Sequence, residues 1–101
     1  MNNYFNTNNL KGADLKSAVK AAKGDNDLVL IAFNYARNID SKSVLTPWEC
    51  SDLVYTISGQ KPLITSVRRS ITTLTKANYL EKTTKQRPGR YGAINYTWKL
   101  K

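Results

Sequence analysis

The hydrophobic period of this chain changes once, and that change sets the order of its elements. Up to about residue 78 the apolar residues recur at helical spacing. From Ile94 onward they alternate strictly, with Ile94, Tyr96, Trp98 and Leu100 set against Asn95, Thr97, Lys99 and Lys101. A period near 3.6 buries one stripe of a helix and a period of two buries one face of a strand, so helices are expected first and a hairpin last. This is the segregated order of an α+β domain. A chain of 101 residues holds material for one modest core.

The helical part divides at its own stop signals. Residues 13–23 (ADLKSAVKAAK) place Leu15, Ala18, Val19 and Ala22 on one side and Lys16, Lys20 and Lys23 on the other, and Gly24 ends the run. A second helix, capped by Asp25 or Asp27, extends to about Asn38. Its stripe is Leu28, Ile31, Ala32, Tyr35 and Ile39, while Val29, Leu30, Phe33 and Ala36 fill much of the remaining circumference. A helix this apolar is covered on more than one side, either by the preceding helix and the rest of the domain or by a second copy docking on Val29 and Phe33. Residues 1–24 therefore read as a polar arm with an accessory helix, and 25–101 as the domain.

The run LTPWEC at 45–50 is a complete helix start. Thr46 is the N-cap, Pro47 occupies N1 where no amide is needed, Glu49 at N3 closes a capping box, and Leu45 is placed to pack on Cys50 at N4. This helix continues through Leu53, Val54 and Ile57 to Ser58 and Gly59. After a turn, Pro62 is expected at N1 of a further helix over 62–78, with Ile64, Val67, Ile71 and Leu74 as its core stripe. Thr65, Arg69, Thr72, Thr73 and Lys76 lie opposite, with Ser66 and Arg68 on the flanks. Residues 79–85 read as a strand, 86–90 (QRPGR) as a turn and 94–100 as the returning strand.

Charge is divided as sharply as period. Residues 1–60 carry six bases and six acids, whereas residues 61–101 carry ten bases against Glu81 alone, which accounts for the whole net charge of +9. Such a division points to a surface for a polyanion. The chain has no histidine, and its seven carboxylates show no paired motif, so neither catalysis nor a metal or other cofactor is expected. Cys50, the sole cysteine, lies on an apolar stripe and reads as core rather than nucleophile. No apolar run approaches the ~20 residues that span a bilayer. Residues 1–10 lack the charged and apolar regions of a signal peptide, and a cytoplasmic protein is expected.

Helix, helix, short turn, helix and a hairpin with a basic tip is the order of a winged helix domain. Residues 25–101, and above all the run TPWECSDLVYTISGQKPLITSVRRSITTLTKANYLEKTTKQRPGRYGAINYTWKL with its TKANYL passage and RPGRYG tip, resemble the winged helix-turn-helix superfamily. They look most like its small phage- or plasmid-borne members. The resemblance implies that the helix over 62–78 lies in the major groove of double-stranded DNA while the wing over 79–101 meets adjacent phosphates or the minor groove. It also implies a role in regulation or replication of a mobile element. Candidate groove contacts are Thr65, Ser66, Arg69, Thr72 and Thr73, with Lys76 on the same face. Lys85, Arg87 and Arg90 are the wing candidates. Arg68 is placed for a phosphate or for an ion pair with Glu49 or Asp52. The face departs from common readers in having no Asn or Gln, the usual partners of adenine.

Three other readings stand beside this one. The same basic face suits an acidic protein partner, since a fold does not dictate a function. Single-stranded nucleic acid would need exposed stacking faces on Tyr91, Tyr96 and Trp98, and strict alternation assigns Tyr96 and Trp98 to the core. Membrane-surface binding lacks a bulky aromatic insertion face on residues 13–23. With no long C-terminal helix for dimerisation, a monomer or weak homodimer is expected.

Overall fold

The computed structural model describes residues 19–38, 44–89 and 92–101. A helical turn at 19–21 precedes three helices, α1 (Asp25–Asn38), α2 (Pro47–Ser58) and α3 (Ile64–Lys76), followed by β1 (Leu80–Pro88) and β2 (Ile94–Leu100). The two strands pair antiparallel. The architecture is thus α+β, three helices packed on one another with a hairpin after them. Residues 13–18 of the expected first helix, Ile39, Arg90 and Tyr91 lie outside the described residues.

α1 forms the middle of the core. Val29, Leu30, Ile31, Ala32, Phe33 and Ala36 are all buried, so this helix is enclosed on nearly every side, and it packs on both α2 and α3. Asn34 is buried with them, its Nδ2 donating to the Leu30 carbonyl at 3.1 Å.

α2 starts as its sequence requires. Thr46 accepts from the Glu49 amide at 3.1 Å, and Glu49 Oε1 accepts from the Thr46 amide at 2.8 Å, so the capping box is closed in both directions. Leu45 and Cys50 share the core cluster. The helix ends at Gly59, whose φ of 74° is the left-handed conformation that glycine adopts without a Cβ penalty, and the Gly59 amide bonds the Tyr55 carbonyl.

α3 begins two residues later than expected. Leu63 is the N-cap in extended conformation, the first intrahelical bond runs from the Val67 amide to the Leu63 carbonyl, and Pro62 lies before the cap rather than at N1. Its stripe of Val67, Ile71 and Leu74 is buried, Ile64 packs on the cluster's edge, and Ser70 is buried beside them. At the far end the Tyr79 amide reaches back to the Leu74 carbonyl and the Asn78 amide to that of Thr75. This is a Schellman arrangement in which Asn78, φ 69°, takes the place usually held by glycine.

The hairpin differs from its expected form in two ways. β1 runs through Gln86 and Arg87 to Pro88, where a turn was expected, because Gln86, Arg87 and Pro88 pair with Tyr96, Asn95 and Ile94. The alternating set on β2 also splits. Trp98 and Leu100 pack against the core, but Tyr96 is 44% and Ile94 62% exposed, while Thr97 is fully buried. The register explains the split: Lys82 pairs with Trp98 and Gln86 with Tyr96, so residues 83–85 bulge opposite Thr97 alone. Thr97 Oγ1 donates to the Lys85 carbonyl at 3.1 Å and shares a hydrogen bond with the Thr83 hydroxyl, whose oxygen accepts from the Lys85 amide. The bulge thus closes over Thr97, and only the base of the hairpin is covered by the core. Leu45 pairs with Trp98 through two backbone bonds of 2.9 and 2.8 Å, fastening the start of α2 to the other edge of β2.

Candidate nucleic-acid interface

The face of α3 opposite its core stripe is built by period alone. Because Val67, Ile71 and Leu74 are drawn inward, Thr65, Arg68, Arg69, Thr72, Thr73 and Lys76 are all exposed and Ser66 is half-buried. The structure thus brings the seven helix candidates onto one continuous outer surface. It carries three bases and no acid, and among the described residues neither Arg68 nor Arg69 is in an ion pair. The expected alternative for Arg68, a salt bridge to Glu49 or Asp52, is not formed among the described residues, and Glu49 is engaged by Arg87.

The threonines are not equivalent. Thr72 Oγ1 donates to the Arg68 carbonyl one turn back at 3.0 Å, which uses the hydroxyl proton a phosphate would need. Among the described residues, Thr65 and Thr73 have no such bond.

Arg69 borders a cleft of about 450 Å³ whose other walls are residues 23–27, Ser66, Ser70 and Thr73. This neighbourhood was not legible in the sequence. Asp25 and Asp27 complement the dipole at the N-terminus of α1, and Asp27 Oδ2 accepts from the Lys23 amide at 2.9 Å. The crossing of α1 and α3 places both carboxylates on the same cleft as Arg69.

The wing candidates separate. Lys85 is exposed in the bulge. Arg87 was expected to be free for phosphates and is not: its Nη1 lies 2.7 Å from both Glu49 oxygens and its Nη2 donates to the Val44 carbonyl at 3.3 Å. The physical reason is the register, which carries the strand past Arg87 and lays its side chain against the start of α2 instead of leaving it at a turn. Arg90 lies outside the described residues.

One basic residue escaped the sequence reading. Lys82 Nζ lies 4.0 Å from the centre of the Tyr96 ring and 5.8 Å from that of Trp98. The signal was present in the alternation, since a strand paired with β2 must set some residue opposite Trp98, but the pairing register decides which.

Burial holds the Cys50 thiol far above its ordinary range, in the protonated form. It is fully enclosed and has no part in the surface. Among the described residues no cluster of three potential metal ligands occurs, and no helix is long and apolar enough to cross a membrane. No protein-family model, characterised protein or solved structure matches this chain.

Proposed function

We propose that the chain is a winged helix-turn-helix protein that binds double-stranded DNA, with α3 in the major groove and the hairpin against the flanking backbone. The observation that carries the reading is the outer face of α3, on which Arg68, Arg69 and Lys76 stand exposed without any acid. A helix about 10–12 Å across fits the major groove, and exposed arginine is the side chain best shaped for the guanine edge. Lys85 then supplies a phosphate contact from the wing, while Arg87 holds the wing in place. The bridge between Leu45 and Trp98 supports the fold assignment, since it joins the segment before α2 to the hairpin as a winged helix requires.

The test is titration of a duplex at two or more salt concentrations. Phosphate binding requires log K to fall linearly with log salt, by about 0.9 for each phosphate neutralised. Affinity that does not depend on salt removes this reading and reassigns the basic face to an acidic protein partner.

A further inference from the structure

The distal half of the hairpin exposes an aromatic face that the duplex reading leaves unused. Residues directly opposite in an antiparallel pair share a face, so Leu80, Lys82, Gln86 and Pro88 stand with Leu100, Trp98, Tyr96 and Ile94. At the base this face is core, with Leu80 buried and Trp98 and Leu100 packed on the cluster. Beyond the bulge the same face emerges into solvent, where Tyr96 and Ile94 are among the few large apolar side chains left open. Tyr96 and Trp98 are two residues apart on one strand, hence about 7 Å apart along it. Lys82 Nζ sits 4.0 Å over the Tyr96 ring. With the ammonium over one face of the Tyr96 ring, a base would stack on the ring's other face, with its phosphate neutralised nearby. Lys85, exposed in the adjacent bulge, continues the positive charge, and Glu81, the only acid in the hairpin, is paired with Lys99 at 3.3 Å.

We propose that this face binds single-stranded DNA, with Tyr96 as the stacking residue, the half-buried Trp98 as its neighbour and Lys82 as the phosphate partner. An apolar protein partner would meet Lys82 on this face and Lys85 in the adjacent bulge, whereas a nucleic-acid strand uses rings and lysines together. The choice of DNA over RNA rests on the duplex reading above; the stacking site itself does not. The aromatic face is distinct from the outer face of α3, so the groove-reading helix and the stacking site would lie on different elements, with Lys85 of the hairpin available to either strand.

The experiment titrates the full chain with a labelled oligodeoxythymidine of about 12 nucleotides, within the site sizes such surfaces occupy, and in parallel with a duplex and an oligouridine. Tyr96→Ala is expected to weaken oligodeoxythymidine binding by roughly 5- to 150-fold, the range that corresponds to loss of one base stack. Tyr96→Phe is expected to restore it, and duplex affinity to change less than about twofold on the same scale. Tyr96→Val, which keeps strand propensity without the ring, guards against loss of the hairpin and should match the alanine variant. Unchanged single-strand affinity in Tyr96→Val overturns the proposal. So does an equal loss for duplex and single strand, which makes Tyr96 a duplex contact. Dimerisation that Tyr96→Val abolishes while single-strand affinity is unchanged overturns it in favour of a second copy. Tighter oligouridine binding overturns the assignment to DNA. Ring-dependent single-strand binding by a chain that does not bind duplex would sustain this site and sink the duplex reading instead.

Discussion

Arg87 on β1 and Glu49 in the first turn of α2 meet across 38 residues of sequence, the guanidinium Nη1 lying 2.7 Å from both carboxylate oxygens. Glu49 is shared. Its Oε1 also accepts from the Thr46 amide and so closes the cap of α2. One carboxylate therefore organises a helix start and anchors the hairpin to it, and Arg87 adds a bond to the Val44 carbonyl.

Arg87→Ala is expected to lower stability by about 1 kcal/mol, the upper end for an ion pair whose members are 35% and 30% exposed and hence screened by solvent. In a Glu49→Gln background the same substitution should cost less, because its charged partner is already gone. Urea midpoints of the four proteins in this cycle provide the check. An unchanged midpoint for Arg87→Ala, together with a salt slope for duplex binding lowered by about 0.9, would make Arg87 a phosphate contact after all.

Thr46→Ala should cost about 1 kcal/mol through loss of the hydroxyl that accepts from the Glu49 amide. Thr46→Ser retains that oxygen and should recover most of the loss. Duplex affinity of the folded proteins should be the same for both. Thermal melts distinguish the cap from simple burial of the threonine, since serine lacks the methyl group and only a cap is rescued by it.

Cys50 should resist thiol-directed reagents in the native protein and react on unfolding, because it is wholly buried and its pKa is raised. The sign of its pH effect follows from proton binding. Above its ordinary value of 9.0 the unfolded thiol loses its proton while the folded one keeps it. The unfolded state then binds fewer protons, and stability falls as pH rises, by up to about 1.4 kcal/mol per pH unit from this group. Cys50→Ala removes that component of the slope. It should also cost about 1 kcal/mol at neutral pH through a small void, with duplex binding intact. Denaturant titrations at pH 8 and pH 10 on both proteins measure the difference.

Arg69 and Lys85 should separate base reading from phosphate contact. Arg69→Ala is expected to cost about 1 to 3 kcal/mol on a preferred duplex and much less on random sequence. Lys85→Ala should weaken all duplexes alike and reduce the log-log salt slope by about 0.9. Competition binding against random duplex, run at several salt concentrations, gives both quantities. A uniform loss for Arg69→Ala across sequences would make it one more phosphate anchor.

Much of the fold was legible because it rests on local physics. The capping box of α2 needs only Thr46, Pro47 and Glu49 within one turn, and Gly59 ends that helix by its own backbone freedom. The stripe of α3 follows from side-chain period, and once Val67, Ile71 and Leu74 turn inward the exposure of Arg68, Arg69 and Lys76 is dictated. The start of the same helix was less legible, since Pro62 is compatible with N1 and equally with the extended residue before a cap.

What the amino-acid order determined by itself was every feature that depends on neighbours within a turn of helix or an alternation of strand: element type, the cap, the enclosed character of α1 and the basic outer face of α3. Tertiary structure alone decided which side chains from distant segments meet. The bulge at residues 83–85 buries Thr97 and leaves Tyr96 in solvent, against simple alternation. The strand register delivers Arg87 to Glu49, and the crossing of α1 on α3 makes Asp25, Asp27 and Arg69 line one cleft. The reason is that periodicity specifies a face but not what covers it. Coverage depends on register and on the angle between elements, which only packing of the whole chain fixes.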